Sequence, residues 1–339
     1  MEYKFSKLYS WMSGKPISAN EHGTIPVYGS NGIIGYTDNS KYFNKIILGR
    51  VGAYCGSVEY CPTEFNATDN TLITTCNEKL ITYPFAFYSL KLMKLNNFAG
   101  GSAQQLITQG LLKHLKCDVP SIEKQKIIAN ILSAYDNLIE NNNKRIKLLE
   151  QMAENLYKEW FVRFRFPGYE DVEFIDGFPK EWKICRIDQL SKIKAGDSTK
   201  EITDECSIPI YSNGIENEGL YGYTSKAKIN KPSISISARG TVGYTCLRRV
   251  SYTPIVRLIC IIPHEEKLAN WLFYYFKRTI VIANGTSQQQ ITIPMMSREK
   301  VLLPTNDLIQ KFYEYSTCCL DEIDSLKAQN SNLKKQRDM

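Results

Sequence analysis

The sequence predicts an α+β protein in which two similar β-rich domains are joined and separated by two long antiparallel coiled-coil helices. Three observations predict it. A set of short motifs occurs twice, about 180 residues apart, a spacing that marks a duplicated domain rather than a solenoid repeat. Each copy consists of short β-rich runs punctuated by Gly, Asn and Ser, the grammar of strands and turns. Each copy then leads into a segment whose apolar residues recur with a helical period.

The repeat begins with Ile25-Pro26-Val27-Tyr28 and Ser30-Asn31-Gly32, which return as Ile208-Pro209-Ile210-Tyr211 and Ser212-Asn213-Gly214. Gly35-Tyr36-Thr37 returns as Gly222-Tyr223-Thr224. Arg50-Val51-Gly52-Ala53-Tyr54 is echoed by Arg239-Gly240-Thr241-Val242-Gly243-Tyr244. The run Gly101 to Thr108 comes back as Gly285 to Thr292, and Val119-Pro120 before the first helix matches Leu303-Pro304 before the second. The organisation expected is a domain over 1–120, a long helix over 121–165, a second domain over 166–304 and a second helix over 305–339.

Within the domains, Ile46-Ile47-Leu48 and the period-two run Ser233 to Ser237 read as strands. Helices are expected from Pro84 to Leu95 and from Glu266 to Ile280. Their aromatic residues, Phe85, Phe87 and Tyr88, then Trp271, Phe273, Tyr274 and Tyr275, suit a packed face better than a binding platform. From Ile122 to Phe161 the apolar residues fall into two sevenfold series. One is Ile128, Tyr135, Leu149 and Leu156; the other is Leu132, Ile139, Ile146, Ala153 and Trp160. A stripe sustained this long is a coiled-coil seam. Asn142 lies on it, either as a register-fixing contact or as a solvated break. The second helix repeats the device with Phe312, Cys319, Ile323, Leu326, Asn330 and Leu333. Neither stripe can be buried alone, so the helices are expected to pair antiparallel. About 40 helical residues span roughly 60 Å, more than the ~34–36 Å of one turn of B-DNA.

Composition excludes more than it selects. The chain has 339 residues and a formal charge of +7, enough for about two domains and compatible with a nucleic-acid partner. The excess positive charge lies on the domains and the first helix. No apolar run approaches a membrane span. Met1 to Met12 has no signal-peptide pattern, so a cytoplasmic location is expected. The ten cysteines contain no CxxC pair, and no metal site is expected. The three histidines, His22, His114 and His264, have no triad-like or metal-like spacing. No GxGxxG turn, no Walker lysine and no Pro-Pro methylation loop occurs. No catalytic residue is assigned.

The run Asp136 to Ile146, followed by Leu148 to Ala153 and Leu156 to Gly168, resembles the central conserved region of type I restriction–modification specificity subunits. Gly101 to Thr108 and its twin at 285–292 share the resemblance, which covers the whole chain. It implies a non-catalytic DNA-binding subunit of a multi-subunit restriction endonuclease and adenine-specific methyltransferase. Each domain would be a target-recognition domain reading one half of a gapped, asymmetric sequence in double-stranded DNA. The helices would set the gap and dock two methyltransferase subunits, with restriction/translocase subunits joining for cleavage. S-adenosylmethionine, ATP and magnesium would belong to those partners, and this chain would hold no cofactor. Met339 aligns with Asn155, so the second helix lacks counterparts of Leu156, Trp160 and Phe161 that relatives carry. The rival reading is a two-headed scaffold that does not itself read DNA.

Base edges are read by few side chains, and most contacts go to phosphate. Asn31, Asn213, Gln104, Gln105, Gln288 and Gln289 are candidates for bidentate pairing with adenine, and Arg50 and Arg239 for guanine or phosphate. Ser102 and Thr286 are candidate phosphate donors. Residues identical in both copies are better candidates for scaffold or phosphate contact than for base reading, and base-reading positions are expected where the copies diverge, as in 39–45, 216–220 and 225–231. On the helices, Asn142, Leu149, Leu156, Trp160, Ile323 and Leu326 are the candidate partner-binding residues.

Overall fold

The computed structural model describes residues 1–100, 105–198, 202–203, 206–283 and 290–339. The chain forms two compact units, Met1–Glu140 with Asn332–Met339, and Asn141–Ser331. The central helix, Ile122–Tyr157, and the C-terminal helix, Asn306–Asp338, each contribute to both. Among the described residues no helix is long and apolar enough to cross a membrane.

Unit 1 is organised by a six-stranded sheet. Its strands lie in the order Tyr9–Ser13, Thr71–Cys76, Tyr42–Gly49, Val58–Ala67, Ile25–Gly29, Gly32–Thr37. The strand over Ile46-Leu48 forms as expected and is longer than its apolar centre. Helix Tyr83–Leu92 covers one face with Tyr83, Phe85, Ala86 and Leu90. A small antiparallel pair, Glu2–Lys4 with Lys116–Asp118, closes the unit beneath the central helix. There the seam differs from expectation. Ile128 is 39% exposed, while Gln125 and Ala129 are buried. Gln125 accepts from Thr82 N (2.9 Å) and donates to Leu80 O (2.8 Å) and Pro120 O (3.0 Å). The first turns of the helix thus rotate toward the unit's own backbone groups, which require partners once buried.

Unit 2 repeats this architecture. Strands Ser191–Ala195, Leu258–Pro263, Ser233–Ser237 and Thr245–Arg248 form one sheet, and Leu220–Thr224, Ile208–Tyr211 and Thr253–Pro254 a second. The order matches unit 1 if Val58–Ala67 corresponds to the two pieces Thr245–Arg248 and Thr253–Pro254. Even the irregularities recur. The register slips at Val27/Tyr28 in one hairpin and at Ile210/Tyr211 in the other. Between the two pieces Arg249 turns away to Asp324 (2.6 Å) and Asp321 of the C-terminal helix. Helix Leu268–Ala283 buries Trp271 and Tyr274, as its aromatic pattern predicts.

The helix pairing within unit 2 is antiparallel. Asn142 Nδ2 donates to Asn330 Oδ1 (3.0 Å), and Asn330 Nδ2 donates to Asn143 Oδ1 (2.9 Å). Arg145 bridges Glu322 (2.6 Å), and Tyr157, Trp160 and Phe161 pack around Phe312. Asn142 and Asn330 are each only 6% exposed, so the polar seam residue is a matched contact and not a solvated break. Burying one amide without the other would cost ~1–3 kcal/mol, which is why such a pair favours one register. The helix ends in a π-turn, Lys158–Val162, that swings Trp160 and Phe161 into the core, and Phe166 stacks on Trp182 beyond it. In unit 1 the end of the C-terminal helix is tied by Arg337 to Asp136 (2.6 Å), which also accepts from Tyr88 (2.8 Å).

Candidate nucleic-acid interface

In unit 1 the sheet brings three repeat motifs to one end. Strand Ile25–Gly29 turns at Ser30-Asn31 into Gly32–Thr37. Ser30 Oγ donates to Asn70 O (2.7 Å), and Arg50 N donates to the same carbonyl (2.9 Å). Ile107 N donates to Arg50 O (3.0 Å) and Gly52 N to Gln105 O (3.1 Å). Asn31, Arg50 and Gln105 therefore share a surface, with Asn31 and Gln105 exposed and Arg50 half-buried. Arg50 Nε is buried with no hydrogen-bond partner among the described residues. Thr108 then caps helix Gln109–His114 by accepting from Leu111 N (3.2 Å), so the end of the Gln-rich motif is a helix start.

Unit 2 assembles the same motifs with different contacts. Ser212-Asn213 opens a longer loop, with Asn217, Glu218 and Gly219 all at positive φ. Asn213 Nδ2 donates to Arg239 O (2.9 Å), and the Asn213 carbonyl accepts from Thr241 Oγ1. Asn213 is thus committed to holding the Arg239 loop, and a Cβ on Gly240 would meet its amide at 2.7 Å. Arg239 is exposed and donates to Gln290 Oε1 (2.7 Å). Thr292 caps Ile293–Arg298, accepting from Met295 N (3.4 Å). Ser102, Gln104, Thr286, Gln288 and Gln289 lie outside the described residues.

The backbone corrects one equivalence drawn from the motifs. Gly49 N bonds Ser57 O and Gly56 N bonds Gly49 O, while Ser237 N bonds Tyr244 O and Gly243 N bonds Ser237 O. Ile107 N bonds Arg50 O where Ile291 N bonds Ala238 O. Arg50 therefore corresponds to Ala238, and Arg239 to Val51. The loop between the positive-φ glycines is one residue longer in unit 1, Gly52 to Gly56 against Gly240 to Gly243, so matching letters slid past matching structure.

The loop Glu216–Gly219, expected to differ between the copies, has a built anchor. Glu218 accepts from Lys327 (2.7 Å), and its carbonyl accepts from Arg248 Nη2 (2.6 Å). Burial would lower the Lys327 ammonium, but the Glu218 hydrogen bond and charge outweigh it and the net shift is upward. Arg248 is 3% exposed, donates from Nε to Ser235 Oγ (2.9 Å) and lies 3.6 Å from the Tyr211 ring centroid. Nothing in the sequence distinguished this arginine from the adjacent, less buried Arg249, since its burial depends on strand pairing.

The helix residues fall inside the chain's own packing. Asn142, Trp160, Ile323 and Leu326 are buried, and Leu149 and Leu156 are half-buried along the seam. They contribute to packing within the chain itself. The exposed apolar residues of the central helix are Ile127, Ile128, Ile131 and Leu138 in unit 1, and Leu148 and Met152 in unit 2. No group of three or more His, Cys, Asp or Glu is placed to hold a metal ion among the described residues.

The family model described as type I restriction modification DNA specificity domain matches this chain twice, over residues 9–151 and 179–314. The chain belongs to this family. As a specificity subunit, its role is DNA sequence recognition, and its partners are DNA and other subunits of the restriction–modification system. A Mycoplasma pneumoniae protein named as a type I specificity subunit, S.MpnORF507P, is 26% identical over 89% of this chain and 84% of its own length. The type I restriction enzyme MjaIX specificity subunit of Methanocaldococcus jannaschii is 27% identical over 76% of this chain and 66% of its own length. The fold matches the crystal structure of a type I restriction–modification S subunit from M. genitalium with a TM-score of 0.73. That match has 19% identity and covers 100% of this chain and 94% of the other.

Proposed function

We propose that each unit of this specificity subunit reads one half of a gapped, asymmetric DNA target, and that the helix pair fixes the gap. The same helices dock two adenine-methylating subunits, with ATP-driven restriction/translocase subunits joining for cleavage. S-adenosylmethionine, ATP and magnesium belong to those partners, and this chain supplies recognition alone. One observation carries the reading: strand order, bulge and turn hydrogen bonds repeat between the units, while the exposed loops differ. Duplicated scaffolds with divergent loops suit two different half-sites. The matched Asn142–Asn330 contact supports a helix pair of one register, as a fixed gap requires.

The test assembles the chain with its cognate methylating subunits and maps methylated adenines by long-read sequencing. Replacing residues 1–120 with the first domain of a relative should change one half-site and leave the other. Inserting about four residues beside Asn142, with a matching insertion beside Asn330, adds roughly 6 Å of helix and should widen the gap by about two base pairs. A change in both half-sites after the domain exchange would defeat the reading.

A further inference from the structure

One turn beside each candidate surface is held identically in the two units. In unit 1, Thr68 N donates to Tyr28 O (2.9 Å), Thr71 N to Thr68 O (3.0 Å) and Arg50 N to Asn70 O (2.9 Å). In unit 2, Ile255 N donates to Tyr211 O (3.0 Å), Leu258 N to Ile255 O (3.3 Å) and Ala238 N to Arg257 O (2.8 Å). A glycine packs against each turn, and a Cβ there would lie 2.1 Å from Thr68 O at Gly14 and 2.2 Å from Ile255 O at Gly196. Bond for bond, Asn70 and Arg257 occupy the same corner.

The bonds match but the corner conformations do not: Arg257 is at positive φ and Asn70 is not. The side chains differ too, Asp69-Asn70 in one unit and Val256-Arg257 in the other, all four exposed. Neither the Asn70 side chain nor the Arg257 guanidinium has a hydrogen bond or ion pair among the described residues. Arg257 sits at φ +79° in the third position of its turn, the left-handed site that a type II turn reserves for Gly or Asn. A long side chain held there is strained, and such strain concentrates where function requires it. Among the described residues this guanidinium makes no hydrogen bond or ion pair that would explain its strained position. Asn and Arg are also the side chains that pair bidentately with single base edges, Asn with adenine and Arg with guanine.

The geometry points to Asn70 and Arg257 as sequence-reading positions, Asn70 for an adenine in the half-site of unit 1 and Arg257 for a guanine in that of unit 2. This deepens the half-site reading above and rests on it. The Ser30–Asn70 bond places the Asn31 turn beside one corner, and the Ala238–Arg257 bond places Arg239 beside the other.

Arg257→Asn and Asn70→Arg test the pair. Asn tolerates the left-handed corner, so Arg257→Asn should leave Tm unchanged or a few degrees higher. The chain, assembled with its cognate methylating subunits, is given a randomised duplex library. Wild type should methylate one gapped target. Arg257→Asn should weaken the preference for one guanine in one half-site roughly 10- to 100-fold, leaving the other half-site intact. Asn70→Arg should do the same at an adenine in the opposite half-site. If wild type yields a defined target and both folded variants yield the same one, the proposal is overturned. If wild type methylates no defined target, the half-site reading fails and this proposal falls with it.

Discussion

Units 1 and 2 share strand order, bulge and turn bonding, yet one layer of the sheet that is wholly apolar in unit 1 takes in buried polar residues in unit 2 beside a smaller apolar cluster. In unit 1 that layer is Tyr28, Ile47, Cys61, Phe65 and Ile73, an apolar cluster. The aligned positions in unit 2 include Tyr211 for Tyr28, Ser235 for Ile47, Arg248 for Cys61 and Cys260 for Ile73, by the strand registers. A buried guanidinium carries a desolvation cost; here Ser235, the Glu218 carbonyl and the Tyr211 ring offset it. Beside it Ser233 bonds the Tyr252 hydroxyl (2.9 Å), and burial holds that phenol well above its usual pKa. The difference tracks the surface. Unit 1 joins its hairpin with the short Ser30-Asn31 turn, whereas unit 2 has the longer loop through Glu218, and Arg248 is the interior residue that holds it. Backbone pairing defines the scaffold, and the interior changes where buried polar groups find partners; Arg248 Nη1, without a hydrogen bond among the described residues, is left with only the Glu218 carboxylate at 3.7 Å.

Exchanging the two chemistries gives the largest expected effect. Cys61→Arg places a guanidinium in unit 1 with no Glu218 loop to receive it. It should destabilise that unit by more than about 4 kcal/mol in chemical denaturation. The reverse change, Arg248→Met, should cost only about 1–3 kcal/mol, because it leaves Ser235 without its donor and frees the loop. No loss on Arg248→Met would mean that the loop anchor contributes nothing, and a loss as large as that of Cys61→Arg would mean that it contributes more than these contacts account for.

The asparagine contact gives the next effect. Asn142→Leu should cost about 1–3 kcal/mol by leaving Asn330 Oδ1 without its donor. Adding Asn330→Leu should recover most of that stability while weakening the register, seen as a broadened distribution of gap lengths among methylated sites. A double variant with one sharp gap would show that the apolar seam alone sets register.

The smallest effect is electrostatic. Hydrogen bonds from Lys158 and Lys277 hold the Glu154 carboxyl below its ordinary value of 4.5. A carboxylate with a depressed folded pKa contributes stability above its unfolded pKa and loses it as pH falls through the folded value. Glu154→Gln should therefore lower Tm slightly at pH 7, by no more than about 1 kcal/mol of stability for so accessible a pair. The difference from wild type should fade as pH falls below the ordinary carboxylate value and through the depressed folded one. A difference that persists there would assign the effect to packing.

Sequence by itself determined the duplication, the two long helices, the aromatic faces of Tyr83–Leu92 and Leu268–Ala283, and the polar position at Asn142. These are legible because hydrophobic period and repeated motifs are local properties of the chain. The tertiary structure alone decided that Asn142 meets Asn330, that Ile128 yields the buried face to Gln125 and Ala129, and that Arg50 stands opposite Ala238 and not Arg239. It also decided that Asn213 supports a loop, and that Asn70 and Arg257 accept the corresponding turn hydrogen bond, each in its own unit. Each of these depends on hydrogen bonds between segments far apart in the chain, and a single extra loop residue is enough to separate matching letters from matching positions.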